Sequence, residues 1–190
     1  VFGPLFAGLV VSASPAAEEL VTVASRSGVT QSYLLRHDAS ASPKVAAVVF
    51  PGGDGLLNLR LEGDAIRFGY ANNFLVRARA LLQDAEIAVA VIDVPSDLLR
   101  RGYSDAFRQG PEHAADVRAV VAALRIRFKE AKIFLVGTSR GTVSAAYAGG
   151  FLGSAVDGIV LTSSVYLASR GGRGLSGFDF ADLRVPVLPV

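Results

Sequence analysis

The residues most able to do chemistry lie together at Gly137-Thr138-Ser139-Arg140-Gly141, a Gly-x-Ser-x-Gly pentapeptide. A serine hydroxyl is a weak nucleophile until it is positioned and its proton is taken. Glycine two residues to either side allows a backbone path too tight for bulky neighbours, so the hydroxyl can stand clear of a strand end. The preceding residues, KIFLVGTS, read as a buried strand, and RGTVSAAYAGGF reads as a helix of small residues. A helix starting there aims its first amides at the hydroxyl and favours a developing oxyanion. A plainer reading fits the same letters: a tight strand-to-helix turn whose serine caps the helix.

A second glycine-rich element, Pro51-Gly52-Gly53-Asp54-Gly55, follows the apolar run VAAVVF. Acyl transfer needs two backbone N–H donors aimed at the forming oxyanion. One comes from the residue after the nucleophile, here Arg140. The other comes from a glycine-rich loop after an earlier strand, with Gly53 the first choice and Asp54 the next. An ordinary turn explains the glycines equally, and a phosphate cradle is a further alternative. Against the cradle, no Gly-Lys-Ser/Thr follows and no Gly-x-Gly-x-x-Gly opens a helix directly.

These residues need a scaffold, and the hydrophobic pattern supplies one. From about Leu20, LVTVAS and VTQSYLLRH flank Ser27-Gly28 and read as an antiparallel hairpin. VAAVVF and IAVAVID are continuous apolar runs, as expected of strands covered on both faces. Between them, residues 72–85 have helical spacing, with Phe74, Leu75, Ala78, Leu81 and Leu82 on one face and Asn72 or Asn73 as cap. Residues 95–110 read as a loop carrying Arg100, Arg101 and Arg108. Residues 111–128 open with proline and acidic residues and read as a helix. After the pentapeptide come VDGIVLTSS, a glycine- and arginine-rich loop, and the strand-like VPVLPV. Alternating strands and helices predict an α/β, mostly parallel, doubly wound sheet with an N-terminal antiparallel hairpin.

The hairpin, the PGGDG loop, the strand–GTSRG–helix unit and the trailing strands together resemble the α/β-hydrolase superfamily over residues 20–190. The likeness is to small, lidless esterase- or peptidase-like members. It implies a serine hydrolase that cleaves an ester or amide of a small-molecule acyl substrate, without a metal or organic cofactor. It also implies a triad in the chain order serine, acid, histidine. Ser139 takes the nucleophile position, and Gly53 and Arg140 take the oxyanion positions. The acid is expected after VPVLPV and the histidine after a later strand, so both are expected beyond Val190. The 190 residues alone are then expected to turn over little substrate.

Asp179 and Asp182 follow Ser139 and are the weaker candidates for the acid; solvated or capping carboxylates account for them as well. His37 and His113 precede Ser139, which is the wrong order for the base. Exposure and helix capping account for His113, although its loop could border the pocket. Asp93 ends a strand at the carboxyl edge and could shape the site. In residues 165–180, where relatives carry a lid or specificity insert, Arg170 and Arg173 could attract an acidic substrate; surface arginines are common in such loops. Two other readings stay open: a non-catalytic binding protein with the same fold, and a nucleotide-binding protein using PGGDG.

Bulk properties limit the alternatives. A chain of 190 residues, 51% hydrophobic and 19% charged, suffices for one core. Its formal charge of +2, with scattered basic residues, offers no footprint for nucleic acid or anionic lipid. Cysteine is absent and there are two histidines, which argues against a metal site. The chain contains no methionine, and its first apolar stretch gives way to small and then acidic residues. Residues 1–17 are therefore expected to be a signal-peptide remnant, with cleavage near residues 13–17, leaving 18–190 as the hydrolase-like domain of an exported protein, periplasmic or secreted.

Overall fold

A computed structural model describes residues 16–69, 72–168 and 172–190. The hairpin forms as expected: β1 (Ala16–Arg26) pairs antiparallel with β2 (Val29–Asp38) across a turn in which Gly28 has φ +70°. β1 starts at Ala16, and Ala16 and Ala17 pair with Asp38 and His37. The folded domain therefore includes two residues that the expected boundary assigned to the leader. The rest of that leader lies outside the described residues.

β3 (Val45–Phe50), β6 (Ile87–Ile92), β7 (Lys132–Thr138), β8 (Gly158–Thr162) and β9 (Val187–Pro189) run parallel. With the hairpin they build a seven-stranded sheet in the order β1-β2-β6-β3-β7-β8-β9. The stretch after PGGDG contains a small separate hairpin, β4 (Arg60–Glu62) with β5 (Ala65–Arg67).

The sheet is covered on both faces, which explains why its central strands are apolar throughout. Alternate residues point to opposite sides. Tyr33, Leu35, Ala46, Val48, Phe50, Ala90, Ile92, Ile133 and Leu135 pack with helices α3 (Pro111–Arg127) and α4 (Gly141–Leu152). Leu34, Ala47, Val49, Val89 and Val91 pack on the other side with Leu57 and with α1 (Phe74–Leu82). Asn73 caps α1, its side chain accepting from the Leu75 N–H. The helix turns a narrower face inward than its spacing predicts. Leu75, Val76 and Ala78 are buried, whereas Phe74, Leu81 and Leu82 are exposed. A nine-residue helix lying on one flank of the sheet has room to bury only the side that meets β6 and the loop at Leu57.

The expected loop at 95–110 contains a 3₁₀ turn at Ser96–Leu98 and a single helical turn, α2 (Asp105–Arg108), capped by Ser104. Strand order fixes where a site can form. β3 is flanked by β6 on one side and β7 on the other, and α1 and α4 leave toward opposite faces. The carboxyl ends of β3 and β7 thus meet at a switch in strand order, the place where α/β sheets bind ligands.

Candidate active site

Phe50, the last residue of β3, pairs with Gly137 of β7. The PGGDG loop and the GTSRG turn therefore leave the sheet side by side. Ser139 has φ +51°, a left-handed conformation that costs a non-glycine residue on the order of 1–3 kcal/mol. The surroundings hold it there. Its N–H donates to the Thr162 carbonyl at 3.1 Å, and its own carbonyl accepts from the Thr142 N–H and hydroxyl at 3.0 and 2.6 Å. α4 begins two residues later, and the serine remains partly exposed.

The motif glycines are required by close backbone approach. A Cβ on Gly137 would stand 2.7 Å from the Thr142 Cα, and one on Gly141 would stand 2.9 Å from the Phe50 carbonyl carbon and overlap its oxygen. The nearest part of PGGDG is Gly52. A Cβ there would stand 3.1 Å from the Ser139 Cβ and 3.6 Å from its Oγ. Gly53 follows in an exposed turn with φ +65°.

Three buried charged residues fasten the loops of this rim, and they are what reading the sequence missed or underrated. Asp93, at the end of β6, accepts backbone N–H bonds from Leu57, Asn58 and Val94 on Oδ1 and from Leu59 on Oδ2, at 2.7–3.2 Å. Burial raises its pKa, and the same N–H groups oppose that rise. Arg108 of α2 is 1% exposed and donates to the Gly53 carbonyl at 3.0 Å and the Ser144 hydroxyl at 2.5 Å. Its guanidinium also lies over the Tyr103 ring, 4.6 Å from the centroid. Burial pulls its pKa down to about 10, so it stays charged at neutral pH. Asp105, also of α2, accepts from the Arg140 guanidinium at 2.6 Å and from the Gly174 N–H at 2.9 Å. The only signal for α2 in the sequence is a capping serine followed by an acid and, three residues on, a base.

The structure does not bring the remaining candidates to Ser139. Asp179 caps a 3₁₀ turn through the Ala181 N–H, and with Asp182 it borders a cleft of about 360 Å³ beside Tyr147, Gly150 and Phe151. That is the far half of α4, roughly 15 Å along the helix axis from Ser139. His113 is neither exposed nor a cap. It is fully buried among Phe50, Tyr103 and Phe107, and burial lowers its pKa to about 3. His37 lies on β2 against Glu19 and Arg127. Arg173 is exposed, and Arg170 lies outside the described residues.

A mixed sheet in this order, with an elbow after β7 and a glycine loop after β3, defines the α/β-hydrolase fold, and this chain has it. No family model and no curated protein matches the chain. Solved structures do match, at identities that speak to fold alone. A lidless α/β serine hydrolase from Xanthomonas campestris aligns with a TM-score of 0.56 and 18% identity, over 98% of this chain and 73% of that one. A cold-adapted esterase from an Arctic intertidal metagenomic library gives a TM-score of 0.60 and 15% identity, over 92% of this chain and 85% of that one. Brefeldin A esterase, a bacterial homologue of human hormone-sensitive lipase, gives 0.54 and 16%, over 84% of this chain and 43% of that one.

Proposed function

We propose that the chain belongs to a serine hydrolase that cleaves an ester or amide bond of a small-molecule acyl substrate, with Ser139 as the nucleophile. One observation carries the reading: Ser139 is held at φ +51° between strand and helix, with Gly52 against it. A turn serving only to cap a helix does not require that conformation. In the reaction, the Ser139 Oγ adds to the acyl carbon and its proton passes to a general base. The carbonyl electron pair moves onto oxygen, where the Gly53 and Arg140 amides receive it. Collapse breaks the bond to the leaving group, which takes the proton. Water then releases the acyl group by the same route. The general base is a histidine other than His37 and His113, both of which lie away from Ser139.

A second reading, a binding protein on the same fold, draws on the placement of His37 and His113 away from the serine. One experiment separates the two. The protein expressed from its full reading frame is treated with a fluorophosphonate probe. The hydrolase labels, and Ser139→Ala abolishes labelling. Labelling that persists at full rate in the variant overturns the assignment of Ser139, and an unlabelled wild type favours the binding protein.

A further inference from the structure

Resting on the serine-hydrolase reading, we infer that the single turn α2 is a positioning clamp for the oxyanion hole: Arg108 sets Gly53 through its carbonyl, and Asp105 sets Arg140 through its guanidinium. The two amide donors come from loops more than eighty residues apart in sequence, so their separation depends on contacts across the fold. α2 touches both. Arg108 binds Gly53 on one side and Ser144 of α4 on the other, tying the PGGDG loop to the helix that starts at the elbow. Asp105, three residues earlier, grips the side chain of the residue after the nucleophile. Its second oxygen takes the Gly174 N–H, which draws in the 172–174 segment as a third strut.

The chemistry of the clamp argues for precision over bulk stability. Among the described residues the Arg108 guanidinium forms no ion pair, and its Nε has no hydrogen-bond partner. A buried charge so incompletely matched is a poor way to fill a core. A planar guanidinium is, however, well suited to holding two fixed acceptors at once, which an ammonium does less well. Space at the clamp is equally tight. A Cβ on Gly55 would stand 2.7 Å from the Tyr103 ring and 3.1 Å from the Arg108 guanidinium, so no side chain fits between the loop and the clamp. Arg108 and Asp105 act through Gly53 and Arg140 and touch no substrate. They are positioning residues.

The test uses the protein from its full reading frame, p-nitrophenyl butyrate as substrate, and a trifluoromethyl ketone whose adduct with the serine places an oxyanion in the hole. Rates are expressed per fluorophosphonate-titratable site, so loss of folded protein does not count. Arg108→Lys is expected to lower kcat about tenfold or more while KM changes less than threefold, since removal of a whole oxyanion donor costs about 10²–10³. The ketone should weaken by the same factor as kcat/KM, which a purely structural role would not produce. Arg108→Met should lose more. Should neither Arg108 variant fold, Asp105→Asn, which keeps the shape and removes the charge, decides by the same two readouts. An unchanged kcat per site in folded variants, in a wild type that labels at Ser139, overturns the clamp alone. A wild type without Ser139-dependent labelling overturns the serine reading and the clamp with it.

Discussion

Gly52 rests against Ser139 so closely that a methyl group on its Cα would stand 3.1 Å from the serine Cβ and 3.3 Å from the Thr138 carbonyl oxygen. The contact sets how closely the glycine loop approaches Ser139. Gly52→Ala must push one of them aside by a few tenths of an ångström. The expected result is a fall of about tenfold in the rate of fluorophosphonate labelling, equivalent to about 1.4 kcal/mol in the barrier. The melting temperature should fall only slightly. A labelling rate equal to the wild type would show that this contact does not position the Ser139 hydroxyl.

Gly141 behaves differently, because its neighbour is backbone. A Cβ there overlaps the Phe50 carbonyl oxygen, and β3 cannot retreat without breaking its pairing with β7. Overpacking against a rigid element typically costs about 1–3 kcal/mol, occasionally more. Gly141→Ala should reach or exceed the top of that range in urea unfolding. Wild-type stability in the variant would contradict the described approach of strand and helix.

Asp93 offers a third check. Its carboxylate accepts four backbone N–H bonds, so the loop at 57–59 hangs from one side chain. Asp93→Asn preserves shape but turns one acceptor oxygen into a donor that faces an N–H. The expected loss is about 1–3 kcal/mol. Asp93→Ala leaves all four donors unpaired and should cost more. Hydrogen exchange at Leu57, Asn58 and Leu59 should speed up in both variants, and unchanged protection there would refute the anchor role.

His113 predicts an acid limb. Burial, helped by the positive charges of Arg108 and Arg26, lowers its folded pKa to about 3 from its ordinary 6.5. Between those values the unfolded chain binds a proton that the folded chain does not. Stability from this group is therefore fully present above pH 6.5 and declines as pH falls toward 3, by up to about 1.4 kcal/mol per unit. His113→Leu should flatten the pH dependence in that window. A variant whose acid limb matches the wild type would assign the sensitivity elsewhere.

Asp179 and Asp182 should be dispensable for chemistry. They flank the far half of α4, beside Gly150 and Phe151. Asp179→Asn and Asp182→Asn should label at the wild-type rate and lose less than about 0.5 kcal/mol, as exposed substitutions usually do. A loss of labelling in either would return it to the site.

Much of the scaffold was legible because its signals are local. VAAVVF, IAVAVI and the IFLV of KIFLVGT are continuous apolar runs because both faces of the sheet are covered, and the structure makes each part of a central strand. The Ser27-Gly28 turn and the proline that opens α3 are equally local. His113 could have been placed as well. It shares the inward face of α3 with Val117, Val120, Val121 and Leu124, a spacing that outweighs the polar character of the ring. The wide apolar face expected for α1 failed for the opposite reason: spacing shows which residues are able to face inward, and the neighbouring surface decides which do.

The main strands and helices in chain order, the turn at Ser139 and the glycines that permit it were set by the sequence alone. Periodicity and steric tolerance act over a few residues and can be read off them. The tertiary structure alone decided which charges lie inside. Arg108 and Asp105 sit in a stretch that reads as surface loop, and they are buried because Gly53, Ser144, Arg140 and Gly174 are folded around them. Partners that stand 30 to 70 positions away along the chain leave no pattern near α2, so their meeting depends on how the whole sheet is wound.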